Sequence, residues 1–173
     1  VTHFLDGSTI YGANEERAEE LRAFRKGKLL VEKKNGLDYL PKADNTSAAE
    51  ACESAEHCYK SGDDRVNFEP HLALMHTIWL REHNRIADKL SELNPHWSDE
   101  KLYQEARRIV IAEIQHITYR EWLPVVLGKK YVRTLGLASN NGNRYIPDED
   151  PSVSNEASTA VLRFINSLKQ GYL

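Results

Sequence analysis

The chain is poor in several things, and each scarcity excludes something. It has no apolar run of the about 18 to 20 residues that a bilayer-crossing helix needs, so no membrane span is expected. It has no excess of one charge. Its 26 acidic and 23 basic side chains give a formal net charge of −3, and no block of either sign offers a nucleic-acid backbone a footprint. Nucleic acid is therefore not an expected partner. With two cysteines, Cys52 and Cys58, it cannot build a four-thiolate zinc site. It opens on Val1-Thr2-His3-Phe4-Leu5 with neither an initiator methionine nor a signal-like segment, so the sequence is read as beginning inside a longer protein.

What is present suits one globular core. Of 173 residues, 40% are hydrophobic and 28% charged, the balance of a single domain or part of one, and residues 1–173 are read as one partial domain. Cys52 and Cys58 stand close together in a polar stretch. A local disulfide, two free thiols and half a metal site all fit that spacing, the disulfide best, and it favours an oxidising compartment. Asn45-Thr46-Ser47 is a glycosylation sequon, which agrees with secretion.

The periodicity is helical. Asn14 can cap a helix carrying Glu15 and Glu16 in its first turn, with Ala18, Leu21 and Phe24 as its apolar stripe and Gly27 as its end. Residues Asn35 to Asp64 show neither helical nor strand period and read as a long surface loop. From Leu72 to Pro95, the spacing of Leu72, Met75, Trp79, Ile86, Leu90 and Leu93 predicts a long helix. Ser98 caps a second, running towards Trp122 and broken at Pro124, and the short turn between them makes the two helices neighbours. Ser154 caps a last helix through about Leu168. No strand of useful length is expected, so the class is mainly α.

Two places could carry chemistry. In the segment Thr2 to Ser8 the even positions can turn oxygens to one point. A carboxylate, two hydroxyls and a carbonyl are the hard donors that calcium takes in sets of about six to eight. The bland alternative is a strand that turns at Gly7. Arg65 follows Gly62-Asp63-Asp64, where an arginine is most often a solvated or salt-bridged helix-start residue. Spacing alone leaves the function open at both places.

Longer stretches decide it. Thr2 to Gly12, then Gly62-Asp63-Asp64-Arg65-Val66-Asn67, then Met75-His76-Thr77-Ile78-Trp79-Leu80-Arg81-Glu82-His83-Asn84-Arg85, resemble the animal haem peroxidases in residues and in order. Ile117-Thr118-Tyr119-Arg120-Glu121-Trp122-Leu123-Pro124 and Asn155-Glu156-Ala157-Ser158-Thr159-Ala160 continue the likeness over nearly the whole chain.

The resemblance implies a mostly helical, secreted haem domain that oxidises a small-molecule or protein electron donor with hydrogen peroxide. Its cofactors would be haem and calcium. The family's Thr-x-Phe-x-Asp-x-Ser loop assigns calcium to Thr2, Phe4 through its carbonyl, Asp6 and Ser8. Its Gly-Asp-x-Arg arginine is Arg65, placed over the haem, where a fixed positive charge stabilises the anion formed as the O–O bond breaks. A haem ester in many members comes from a glutamate three residues after that arginine. Here that register holds Phe68, with Glu69 one step further on.

The family's Arg-Phe-Gly-His-Ser-Leu reads Arg163-Phe164-Ile165-Asn166-Ser167-Leu168 here. Arg163 is carried over to the haem pocket, and Asn166 takes the place of the proximal iron ligand. An amide is a poor iron donor where an imidazole is a good one, and Ile165 adds bulk where the family has glycine. The intact Arg65 favours an enzyme, whereas Asn166 favours a scaffold that has lost catalysis. His76, His83 and His116 read as core histidines, and Met75, Trp79 and Trp122 as core packing.

Overall fold

The computed structural model describes residues 2–43, 58–137 and 146–168, so the sequon, Cys52 and the Asn140-Asn141-Gly142-Asn143 turn lie outside the described residues. The chain divides into two compact units, Val1–Asn140 and Asn141–Leu173.

The first unit is built on two long helices, as expected. Helix α3 runs Pro70–Leu93 and α4 runs Asp99–Ile117. Proline at the first position of α3 costs nothing, because the N–H it lacks would have had no partner there. Ser98 caps α4 by accepting from Lys101 N–H at 3.3 Å. Between the helices, Leu80, Ile86, Ala87, Tyr103, Ala106 and Val110 form the centre of one hydrophobic cluster. Ala87, Ala106 and Val110 are fully enclosed, and burying a side chain the size of Val110 contributes about 1.5 to 3 kcal/mol.

Shorter elements lie on this pair. Helix α1 is Ser8–Tyr11 and α2 is Glu15–Glu20, with Asn14 capping α2 through Arg17 N–H at 3.0 Å. Helix α2 ends earlier than its apolar stripe suggested. Phe24 and Lys26 adopt positive φ and turn the chain back, so Phe24 is exposed and Leu29 pairs with Arg22 across a short bridge. Gly27 is not a helix cap. It lets the turn touch α4, where an added Cβ would sit 2.5 Å from Tyr103 N.

The expected long loop begins instead with a hairpin, β1 (Glu32–Lys34) antiparallel to β2 (Leu37–Tyr39). Asn35 and Gly36 both take positive φ, the pair of conformations a tight two-residue hairpin turn requires.

Beyond α4 the helix does not break at Pro124. A π-helical turn, Thr118–Trp122, widens the coil and leads into α5 (Leu123–Val126), and Gly128 then opens α6 (Lys129–Thr134). The absent Pro124 N–H falls where the hydrogen-bond register has already changed. Met75 and Trp122 are 47% and 42% exposed, contrary to the core role expected of them; Trp79 does pack against the core.

The second unit is small. Helix α7 (Asn155–Thr159), capped by Ser154 accepting from Ala157 N–H at 3.2 Å, is followed by a 3₁₀ helix, Val161–Leu168. The single helix expected from Ser154 to Leu168 is thus interrupted at Ala160 and tightened beyond it.

Candidate functional site

The loop that opens the chain closes on itself. Thr2 Oγ1 donates to Asp6 Oδ2 at 2.8 Å, Ser8 N–H donates to Asp6 Oδ1 at 2.9 Å, and Thr2 N–H donates to Ser8 Oγ at 3.2 Å. The carbonyl of Phe4 lies 3.3 Å from Thr2 Oγ1. The four residues expected to bind calcium therefore gather their oxygens within one short turn. Burial pushes the Asp6 carboxyl up, but the hydrogen bonds from Thr2 and Ser8 together outweigh it and hold the group below the usual carboxylate range. The loop thus offers calcium one ionised carboxylate, two hydroxyls and a carbonyl. Among the described residues no cluster of three or more His, Cys, Asp or Glu is arranged to hold a metal. Calcium's usual six to eight oxygens would need further donors.

Three anchors fix this loop to the core. Gly7 takes a left-handed φ of 70° at its turn. Gln115 of α4 donates to the Leu5 carbonyl at 2.9 Å. Tyr11, at the end of α1, is buried and reaches His83 Nδ1 at 2.9 Å, while His83 Nε2 lies 2.9 Å from the Gly27 carbonyl. A carbonyl only accepts, so Nε2 carries the proton and Nδ1 takes the Tyr11 hydroxyl hydrogen. The buried imidazole is neutral, its pKa lowered to about 4, first by burial and further by the charges of Arg22 and Arg107.

The second motif packs on the first at a glycine. A Cβ added to Gly62 would lie 2.4 Å from Gly12 N and 2.5 Å from Ser8 O, so this position has room for backbone alone. Ser61 Oγ donates to the Thr9 carbonyl at 3.2 Å across the same junction. The chain then enters a 3₁₀ turn, Asp64–Asn67, capped by Asp63. Arg17 of α2 pairs with Asp64 and ties α2 to the same turn.

Arg65 stands on this turn, 58% exposed, with its guanidinium against Asp63: Nη2 to Oδ2 is 2.6 Å and Nε to Oδ1 is 3.0 Å. The paired arginine holds the Asp63 carboxyl below its ordinary range, and Asp63 in turn holds Arg65 more firmly protonated. Arg65 is thus held in place by a half-buried carboxylate. Phe68 is exposed and Glu69, half-buried, starts α3 without a side-chain cap. The pairing of Tyr11 with His83, 72 residues apart, was not anticipated; a buried histidine beside a buried tyrosine leaves no local spacing signal.

The remaining expected residues belong to the second unit. Arg163 Nε donates back to the Thr159 carbonyl at 3.2 Å, and Asn166 is exposed on the 3₁₀ helix with Ile165 beside it. Thr2, Phe4, Asp6, Ser8 and Arg65 thus belong to segments that meet at the Gly62 junction in the first unit, and Arg163 and Asn166 stand on the other.

A mainly α chain with a Thr-x-Phe-x-Asp-x-Ser loop locked to a Gly-Asp-x-Arg turn defines a haem-peroxidase-type protein. The family model for animal haem peroxidase matches residues 1–173, and the chain belongs to that family. It is 47% identical to a chorion peroxidase of Aedes aegypti over 99% of its own length, and 46% identical to a peroxidase of Drosophila melanogaster over 100%. It spans 22% and 26% of those two proteins. Among solved structures, peroxidase A of Dictyostelium discoideum superposes with a TM-score of 0.79 at 33% identity, over 93% of this chain and 30% of that one.

Proposed function

We propose that these residues form the calcium-braced arginine face of a haem peroxidase domain, and that the family reaction, hydrogen-peroxide-dependent oxidation of an electron donor, is the chemistry from which the protein descends. The observation that carries this reading is the Gly62 junction, which fixes the Asp63–Arg65 pair to the loop of Thr2, Phe4, Asp6 and Ser8. In this reading calcium stiffens the loop, the loop fixes Gly62, and Gly62 sets the start of the turn that presents Arg65.

Haem in this family supplies an iron that reduces peroxide. The donor set here does not fit a strongly held iron, because the position of the proximal ligand offers the amide of Asn166, with branched Ile165 beside it. Arg163 and Glu69 remain the other groups the resemblance turns towards the haem. The second reading, a scaffold that keeps the braced fold for partner contact, is favoured by Asn166 alone. Secretion and a Cys52–Cys58 disulfide belong to the same proposal, supported by the burial of Cys58 at 1% exposure and its not being a free thiol.

Absorption spectroscopy of the full-length protein on haem addition tests the choice. A weak, easily displaced Soret band agrees with the amide at Asn166. A band as tight as that of a histidine-ligated relative means that iron is held by another residue. Calorimetry tests the loop: Asp6→Ala abolishes calcium binding, and an unchanged affinity rejects the assignment.

A further inference from the structure

Helix α3 meets the opening loop at a buried imidazole. His83 is 0% exposed, and its ring joins two segments far from it in the chain: the Tyr11 hydroxyl, 2.9 Å from Nδ1, and the Gly27 carbonyl, 2.9 Å from Nε2. The two sides are held unequally. Around Gly27 the chain has further holds, since Gly27 N–H donates to Asp99 at 2.6 Å, Leu29 N–H donates to Asn84 at 2.8 Å and Lys28 pairs with Asp88. On the loop side the hydrogen bond that reaches α3 is that of Tyr11. Leu5 and Thr9 are tied elsewhere, to Gln115 and Ser61, so the end that can swing away from α3 is Tyr11.

A neutral ring suits both bonds. Nε2 donates to a carbonyl, so Nδ1 accepts from the phenol. A proton taken up at Nδ1 removes that acceptor: the phenol oxygen must then accept instead, and its own hydrogen has no other partner among the described residues. The new charge lacks a counter-ion as well. The charged groups that act on the ring are cationic, Arg22 and Arg107, whose guanidiniums lie 4.2 Å from the Tyr103 ring centre and 5.3 Å from that of Tyr11. Asp99 and Glu100 are paired with Arg22, Glu82 beside His83 is paired with Arg85, and Glu113 of α4 acts on Tyr11. A buried cation without a counter-ion is relieved by opening the site to water.

We propose that the Tyr11–His83 hydrogen bond is an acid-sensitive latch: proton uptake by the ring swings the Tyr11 end of α1 away from α3 and loosens the loop of Thr2, Phe4, Asp6 and Ser8, while the Gly27 turn stays in place. The closed ring resists the proton until about pH 4, whereas a ring hydrated by opening takes it near the ordinary 6.5, so acid favours the open form across that window. Asp6, held below the usual carboxylate range, stays ionised across it. A loss of calcium there therefore comes from the latch and not from protonation of Asp6. That consequence rests on the calcium reading above; the latch itself does not.

Hydrogen exchange of the full-length protein with calcium chelated, corrected for the intrinsic pH dependence of amide exchange, tests the latch. The Ile10, Tyr11 and Gly12 amides donate to the carbonyls of Gly7 and Ser8, and their protection is expected to fall about tenfold per pH unit below 6.5 while staying below that of the α4 amides around Val110. The side chain in His83→Gln can still accept from Tyr11 and donate to Gly27 but does not titrate, so this variant is expected to lose the fall. Tyr11→Phe, which keeps the ring, is expected to lower loop protection about fivefold or more near pH 7, and is readable even if His83→Gln fails to fold. Protection that ignores pH, a slope that survives in His83→Gln, loop exchange only together with α4, or unchanged protection in Tyr11→Phe each overturns the latch. Calorimetry with calcium near pH 7 and near pH 5 reads the consequence, an affinity that falls in the unmodified protein and holds in His83→Gln. No calcium binding at either pH rejects the calcium reading and leaves the latch to be decided by exchange.

Discussion

In the stretch that joins residues 2–12 to 58–67, each polar side chain of the candidate site is spoken for: Asp6 by Thr2 and Ser8, Tyr11 by His83, Arg65 by Asp63. In residues 161–168 every side chain is exposed, apolar Val161, Leu162, Phe164, Ile165 and Leu168 included, and Arg163 bonds only within its own turn. The first region retains the family's residues and a hydrogen-bond network that holds them. The second keeps the family's frame, Arg-Phe-x-x-Ser-Leu, and departs from it at the two residues between, Ile165 and Asn166. Sequence likeness is therefore a better guide to function where a network fixes the matching residues than where the match is a frame around substitutions.

The sharpest way to break the first region is Gly62→Ala in the full-length protein. The new methyl group meets two backbones rather than a flexible side chain, so denaturant unfolding is expected to show a loss of about 3 kcal/mol or more. A loss below about 1 kcal/mol would mean the loop and the Arg65 turn are not locked there.

Acidification acts on the same region through His83. Its folded pKa, about 4, lies below the ordinary 6.5, so the unfolded chain takes the proton first. The stability this neutral imidazole contributes is complete above pH 6.5 and falls as pH drops through 6.5 towards 4. The expected loss is about 3 kcal/mol, from about 1.4 kcal/mol per pKa unit. Unfolding free energies measured across that window should show the slope, and His83→Gln should remove it. A slope that survives in His83→Gln assigns it to another group.

The smallest effect comes from the same substitution at a different glycine. Gly36→Ala has open space around the new methyl, and its only penalty is a φ of 78°, so a loss of about 1 kcal/mol is expected. Equal losses at Gly36 and Gly62 would dissolve the contrast between conformational freedom and close approach.

Much of this was legible in the residues. Asn14, Ser98 and Ser154 each cap the helix assigned to them, because a capping side chain acts within three residues of itself. The face of α3 was less legible. The expected stripe included Met75 and Leu93, both exposed, whereas Thr77, Leu80, Asn84 and Ala87 are buried, since which side of a helix is covered depends on its neighbours. The hairpin was missed although Asn35-Gly36 is its signal, because three-residue strands are too short for a period. The roles of Gly27 and Gly62 were hidden for another reason. A glycine needed for close approach looks the same in sequence as one needed for a loop.

The proposed function is most exposed at Asn166, which the family resemblance sets in the place of the iron ligand. The most direct measurement compares peroxide-dependent dye oxidation by the full-length protein with that of the double variant Ile165→Gly, Asn166→His under identical haem loading. Turnover is expected to be negligible in the unmodified protein and to rise together with haem affinity in the variant. Equal turnover in the two would show that the iron is held from elsewhere and would contradict the account.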